Sequence, residues 1–162
     1  MNKKIAYIEN VIFLNKQNIE WSQVEQYLKS YIGTIYVVTE TEDVINIASD
    51  FPNEFAESKY TKRLRGNIAK AKANASQVIG KMIVLATNRR WVENKDEKHK
   101  KNAEKGWYRY DTYFAMPVQG SDENEKRINV YRATLVVRIS LKGLFLYDVI
   151  NIKKEASKPH ES

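Results

Sequence analysis

Four side chains within one stretch of this chain have the types needed for chemistry on a phosphodiester. His99 is of the one side-chain type that can give or take a proton near neutral pH. Lys72 and Arg109 are cations that can stabilise the charge of a pentacovalent phosphorane. Tyr108 offers a hydroxyl to a substrate oxygen and a ring to a base. In RNA the 2′-hydroxyl beside the scissile phosphate is itself the nucleophile. Such a set therefore needs no metal, leaves a 2′,3′-cyclic phosphate and spares DNA. Each residue also has a plainer use: a solvated histidine, a snorkelling lysine, a tyrosine in the core.

The charge distribution points the same way. The net charge is +7, yet residues 1–58 sum to −5, residues 59–110 to +11 and residues 111–162 to +1. The basic middle carries the aromatic run Trp107-Tyr108-Arg109-Tyr110. Cations interleaved with flat rings fit a polyanion with bases better than a lipid surface. The candidate RNA contacts are Lys59, Lys62, Arg63, Arg65, Lys70, Asn74, Arg89, Arg90, Lys98, Lys100 and Tyr110, joined by Arg132 further on.

Other chemistries are disfavoured. The acids of the basic stretch, Glu93, Asp96, Glu97 and Glu104, lie in its most solvated part and do not converge as metal ligands would. No P-loop, nucleophile elbow or dinucleotide fingerprint occurs, so no cofactor or metal is expected. Cysteine is absent, and no apolar run approaches membrane-spanning length. A cytoplasmic location in a bacterial host and no membrane partner are expected, with the oligomeric state left open.

The elements that must position these residues form one expected domain over 1–162, with an acidic part at 1–56, a core at 57–157 and a tail at 158–162. Ile5–Leu14 reads as a strand. Trp21, Val24, Tyr27, Leu28 and Tyr31 share a helical face that stops near Gly33. Thr34–Val38 and Val44–Ile47 suggest a hairpin, and Pro52 opens a short helix. From Asn67 to Asn88, Ile68, Ala71, Ala75, Val78, Ile79, Met82 and Leu85 recur at helical spacing. That pattern predicts one long helix, with Lys72 at the flank of the apolar arc, where it snorkels or meets an anion. Trp107–Val118, Ile128–Ile139 and Leu144–Ile152 read as three consecutive antiparallel strands. Alternation predicts an apolar face and a charged face, with Arg132, Thr134 and Arg138 together on the middle strand and Arg109 and Asp111 sharing a parity in the strand before it.

Several motifs carry a resemblance: Ser58-Lys-Tyr-Thr-Lys-Arg-Leu-Arg-Gly, Ala69-Lys-Ala-Lys-Ala-Asn-Ala-Ser-Gln, Ala86-Thr-Asn-Arg-Arg-Trp, Glu97-Lys-His, Gly106-Trp-Tyr-Arg-Tyr, Phe114-Ala-Met-Pro-Val and Leu146-Tyr-Asp-Val-Ile-Asn-Ile-Lys-Lys-Glu. With Trp21, Tyr31-Ile-Gly and Asp50-Phe-Pro upstream, residues 20 to 157 resemble a domain found on phages and other bacterial mobile elements. That domain is similar to the barnase–EndoU–colicin–RelE-like nuclease superfamily. The resemblance implies an α+β fold in which helices pack on an antiparallel sheet, here with an N-terminal strand–helix–hairpin extension. It also implies a metal-independent ribonuclease or RNA-processing activity, with His99 as acid/base, Lys72 and Arg109 stabilising charge and Tyr108 positioning substrate. Its RNA would be a host-defence RNA such as a CRISPR guide, or a tRNA. Two alternatives stand beside it: a non-catalytic inhibitor of anti-CRISPR type, which binds an effector or masks its RNA, and a structural module of a mobile-element assembly.

Overall fold

The structure is a computed structural model and describes residues 4–14, 18–95, 103–118 and 126–160. It is an α+β arrangement of short helices packed on one mixed sheet. In chain order the strands are β1 (Ile5–Tyr7), β2 (Ile35–Val37), β3 (Val44–Asn46), β4 (Thr87–Val92), β5 (Trp107–Pro117), β6 (Arg127–Ser140) and β7 (Gly143–Pro159). The helices are α1 (Trp21–Leu28), α2 (Phe51–Glu57), α3 (Lys59–Arg63), α4 (Gly66–Ala75) and α5 (Ile79–Val84).

The three C-terminal strands pair antiparallel, as their alternation predicts. The β5–β6 register runs unbroken from Trp107 opposite Arg138 to Pro117 opposite Ile128. The sheet is not purely antiparallel, however. The spatial order is β1-β5-β6-β7-β3-β2, with β1 parallel to β5 and β3 parallel to β7, while β4 pairs with the first half of β5. The N-terminal strand and hairpin are therefore integral to the sheet rather than an extension of it. Only three residues of the expected Ile5–Leu14 strand enter the sheet: β1 begins opposite Tyr113 and runs parallel to β5, so its continuation soon passes the end of β5 at Pro117.

The expected helix over 67–88 is also interrupted. The Ser76 hydroxyl donates to the Ala73 carbonyl at 2.6 Å, a local bond that competes with the helical ladder. The chain tightens into a 3-10 turn at Ser76–Val78, and α5 then resumes for six residues. After it, Thr87, Trp91 and Val92 supply the β-branched and aromatic types that favour the strand β4.

Capping follows the chemistry of the termini. Pro52 sits in the first turn of α2 with Glu54, where a missing N–H costs nothing and a carboxylate suits the helix dipole. The Ser58 hydroxyl caps α3 by accepting from the Thr61 N–H at 3.2 Å. The helices bury Val24, Leu28, Phe51, Phe55, Ile79 and Met82 against Tyr110, Phe114, Tyr131, Leu135 and Val149 of the sheet. Phe114 and Tyr131 face each other across β5 and β6 with ring centroids 5.2 Å apart. No described helix is long and apolar enough to cross a membrane.

Candidate nucleic-acid interface

The unbroken β5–β6 register decides which charged side chains share a face. Residues directly opposite point the same way, and neighbours along a strand point opposite ways. Arg109, Asp111 and Tyr113 of β5 therefore stand with Arg132 and Thr134 of β6. The pairing of Arg90 with Arg109 adds β4, and that of Arg132 with Lys153 adds β7. This is the face opposite Tyr110, Phe114 and Leu135, which are buried in the core.

On that face one carboxylate serves two guanidiniums. Asp111 lies 3.0 Å from Arg90 and 3.3 Å from Arg132, and it accepts a third contact from Asn88 Nδ2 at 2.9 Å. Burial alone would raise the Asp111 pKa, but Asn88 and the two arginines outweigh it and hold the carboxyl below the usual range. Each guanidinium carries five donors, so a single carboxylate cannot engage them all. The two arginine side chains stay 41% and 49% exposed, with donors left for solvent or a ligand. Beside them the Nε of Arg109 is buried without a hydrogen-bond partner. Arg90 and Arg132 thus flank one acid, with Arg109 next to Arg90 across the β4–β5 ladder and Lys153 beyond Arg132 on β7. The named side chains of this face carry more positive than negative charge.

The two consecutive arginines of β4 go to different acids. The register slips between Thr87 and Arg90, and Asn88 takes a left-handed backbone (φ 57°), a conformation asparagine tolerates. Arg90 goes to Asp111, whereas Arg89 Nη1 donates to both oxygens of Asp43 at 2.9 Å. The Arg89 guanidinium lies 4.4 Å from the centroid of the Tyr108 ring. Asp43 also accepts from the Thr41 hydroxyl at 2.6 Å and the Tyr110 hydroxyl at 2.7 Å. Burial pushes the Asp43 carboxyl up, but those hydrogen bonds together with Arg89 bring it below its ordinary value. Burial and the Asp43 carboxylate raise the Tyr110 phenol. Tyr110, expected as an RNA contact, is a fully buried core residue tied to a carboxylate.

The three proposed catalytic residues that are described, Lys72, Tyr108 and Arg109, are not brought together. Tyr108 and Arg109 are consecutive in a regular strand and point to opposite faces. Lys72 has no exposed surface. Its ammonium donates to Asp148 Oδ1 at 2.7 Å and to the Thr61 hydroxyl at 2.5 Å, between the rings of Phe55 and Tyr60 at 4.6 and 5.0 Å. Burial pulls Lys72 down and Asp148 up, and each opposes the shift in the other. Of the two fates the sequence offered Lys72, it takes the internal anion, and no phosphate reaches it. His99, Lys98 and Lys100 lie outside the described residues.

The remaining candidates divide by exposure. Lys59, Lys62 and Arg63 are exposed on α3, and Arg65 Nη1 donates back to the carbonyls of Lys62 and Leu64. Lys70 and Asn74 are buried. Asn74 Oδ1 accepts from the backbone N–H groups of Ile12 and Phe13, and its Nδ2 donates to the carbonyls of Phe13 and Lys70, so it holds the N-terminal segment on α4. Among the described residues, no group of three or more His, Asp or Glu side chains is placed to hold a metal.

Two features escaped the sequence reading. One is a groove of about 830 Å³ lined by Tyr7, Tyr27, Tyr31 and Tyr36 with Lys81, in which the Tyr36 ring lies so close to Gly80 that a Cβ there would fall 2.3 Å from it. It holds none of the clustered arginines. The other is the strand that exposes Trp91: its motif Ala86-Thr-Asn-Arg-Arg-Trp follows directly on a helical pattern, and Thr87, Trp91 and Val92 were the available signal. No family model, no curated protein and no solved structure matches the chain.

Proposed function

We propose that this protein acts by binding nucleic acid, RNA foremost, with phosphates held on the sheet face of Arg90, Arg109, Arg132 and Lys153. The observation that carries this reading is the arrangement about Asp111. One carboxylate orients two half-exposed arginines, and the partnerless Arg109 Nε lies next to them. Such a carboxylate holds the guanidiniums in place and leaves the face with excess positive charge. The cations spread along four strands rather than converging on one scissile bond, which favours a binding protein over the ribonuclease as a first reading. On the strength of the motif resemblance, a CRISPR guide RNA or a tRNA is the RNA to try, free and held in an effector.

The test is binding of a labelled RNA in EDTA across a salt series, for wild type, Arg109→Ala and Lys153→Ala. Affinity should fall steeply with salt, and each substitution should lower the log–log slope by about 0.7 for single-stranded RNA. Binding that ignores salt, or slopes unchanged in both variants, would sink the proposal. Cleavage to 2′,3′-cyclic phosphate ends, lost on His99→Ala, would put the ribonuclease reading in its place.

A further inference from the structure

Trp91 is 58% exposed, yet its ring is held in place. Its Nε1–H donates to the Lys105 carbonyl at 2.9 Å. The indole lies against Gly106, where a Cβ would fall 2.7 Å from Nε1 and 2.9 Å from Cε2. The ring's one polar group is thus already satisfied inside the protein, and what remains outward is π surface. An exposed tryptophan gains nothing from burial, and one that is also pinned has already lost the rotamer freedom that ligand binding would otherwise cost.

Its neighbours are charged. Trp91 is opposite Tyr108 in the β4–β5 ladder, and Arg89 covers the Tyr108 ring. Arg90 and Arg109 lie on the other side of the same strand pair. Among the described residues β4 has β5 as its one partner strand, so its outer edge separates the Trp91 ring from the phosphate-binding arginines. A chain crossing that edge meets cations first and a flat ring next.

We propose that Trp91 is a stacking platform for an unpaired base, and that the nucleic acid this face takes is single-stranded. This rests on the RNA-binding reading above. Bases inside a duplex are stacked on both faces and cannot reach a side-chain ring, whereas an unpaired base stacks on one regardless of its sequence.

The experiment compares a fluorescein-labelled 12-nucleotide oligouridine with a blunt RNA duplex of equal length, by anisotropy at fixed salt. The proteins are wild type, Trp91→Ala and Trp91→Phe. Trp91→Ala should weaken single-strand binding by roughly 5- to 100-fold and duplex binding by less than about 2-fold. Trp91→Phe should keep most of the affinity. Unlabelled oligouridine should quench tryptophan emission of wild type but not of Trp91→Phe, a readout that stands even where the alanine variant folds poorly. Equal loss for both RNAs, or quenching that persists in Trp91→Phe, overturns the platform alone. Failure of wild type to bind either RNA overturns the RNA reading and the platform with it.

Discussion

The Lys72 ammonium sits 2.7 Å from the Asp148 carboxylate, joining α4 to β7 in a site where neither side chain is more than 4% exposed. Thr61 relays the contact into the backbone, since its hydroxyl takes the Lys72 hydrogen bond and donates to the Phe55 carbonyl at 2.6 Å. The most lysine-like feature of the helix is therefore an interior strut. Removing one member of such a pair strands a charge, which is far worse than removing both.

Lys72→Ala should accordingly cost about 3–5 kcal/mol, while Lys72→Met with Asp148→Leu should restore much of that loss. Urea unfolding of wild type, both single variants and the double variant measures the cycle. A single variant with wild-type stability would contradict the buried pairing.

Asp111 should make the protein sensitive to acid. Its folded pKa is depressed, so its contribution is present in full above the unfolded value of about 3.9 and is lost as pH falls through the folded one. The stability gap between wild type and Asp111→Asn should be widest near neutral pH and narrow below about pH 4. Urea midpoints from pH 6 downward show this, and a gap that stays constant with pH would refute it.

Gly106 has φ 94°, and an added Cβ would fall 2.8 Å from the Val92 carbonyl as well as against Trp91. Gly106→Ala should cost about 1–3 kcal/mol and shift the Trp91 emission, because the strain is in backbone that cannot yield like a side chain. Thermal unfolding followed by tryptophan fluorescence reads both effects together.

Asn74→Ala should leave the N–H groups of Ile12 and Phe13 unpaired and loosen the N-terminal segment, at about 1–3 kcal/mol. Chymotrypsin should then cut near Phe13 faster than in wild type. RNA affinity should stay unchanged, which separates this structural asparagine from a nucleic-acid contact.

Much of the sheet was legible in the residues. Alternation along Ile128–Ile139 placed Arg132 on the face opposite Leu135 and Val137, and along Trp107–Val118 it gave Arg109 and Asp111 one parity, because strand geometry forces that locally; the β5–β6 register then put both on the face of Arg132. The break at Ser76 was not legible: Ser76 fits a helix as well as it fits a 3-10 turn, and the apolar spacing runs on through it. The parallel partners were hidden for another reason. β1 and β3 are three residues long and find their mates about a hundred residues away, at Tyr113 opposite Ile5 and Leu144 opposite Ile45.

By itself, then, the sequence determined local things: the α+β class, the C-terminal strands and their parity, and the concentration of cations in one segment. Only the tertiary structure decided which cations face water. Lys72 and Arg109 are both basic residues in that segment, but one meets Asp148 across 76 positions and the other faces out beside a carboxylate already shared. Chain proximity places charges in a neighbourhood, and long-range packing selects which of them are neutralised inside and which stay available to a ligand.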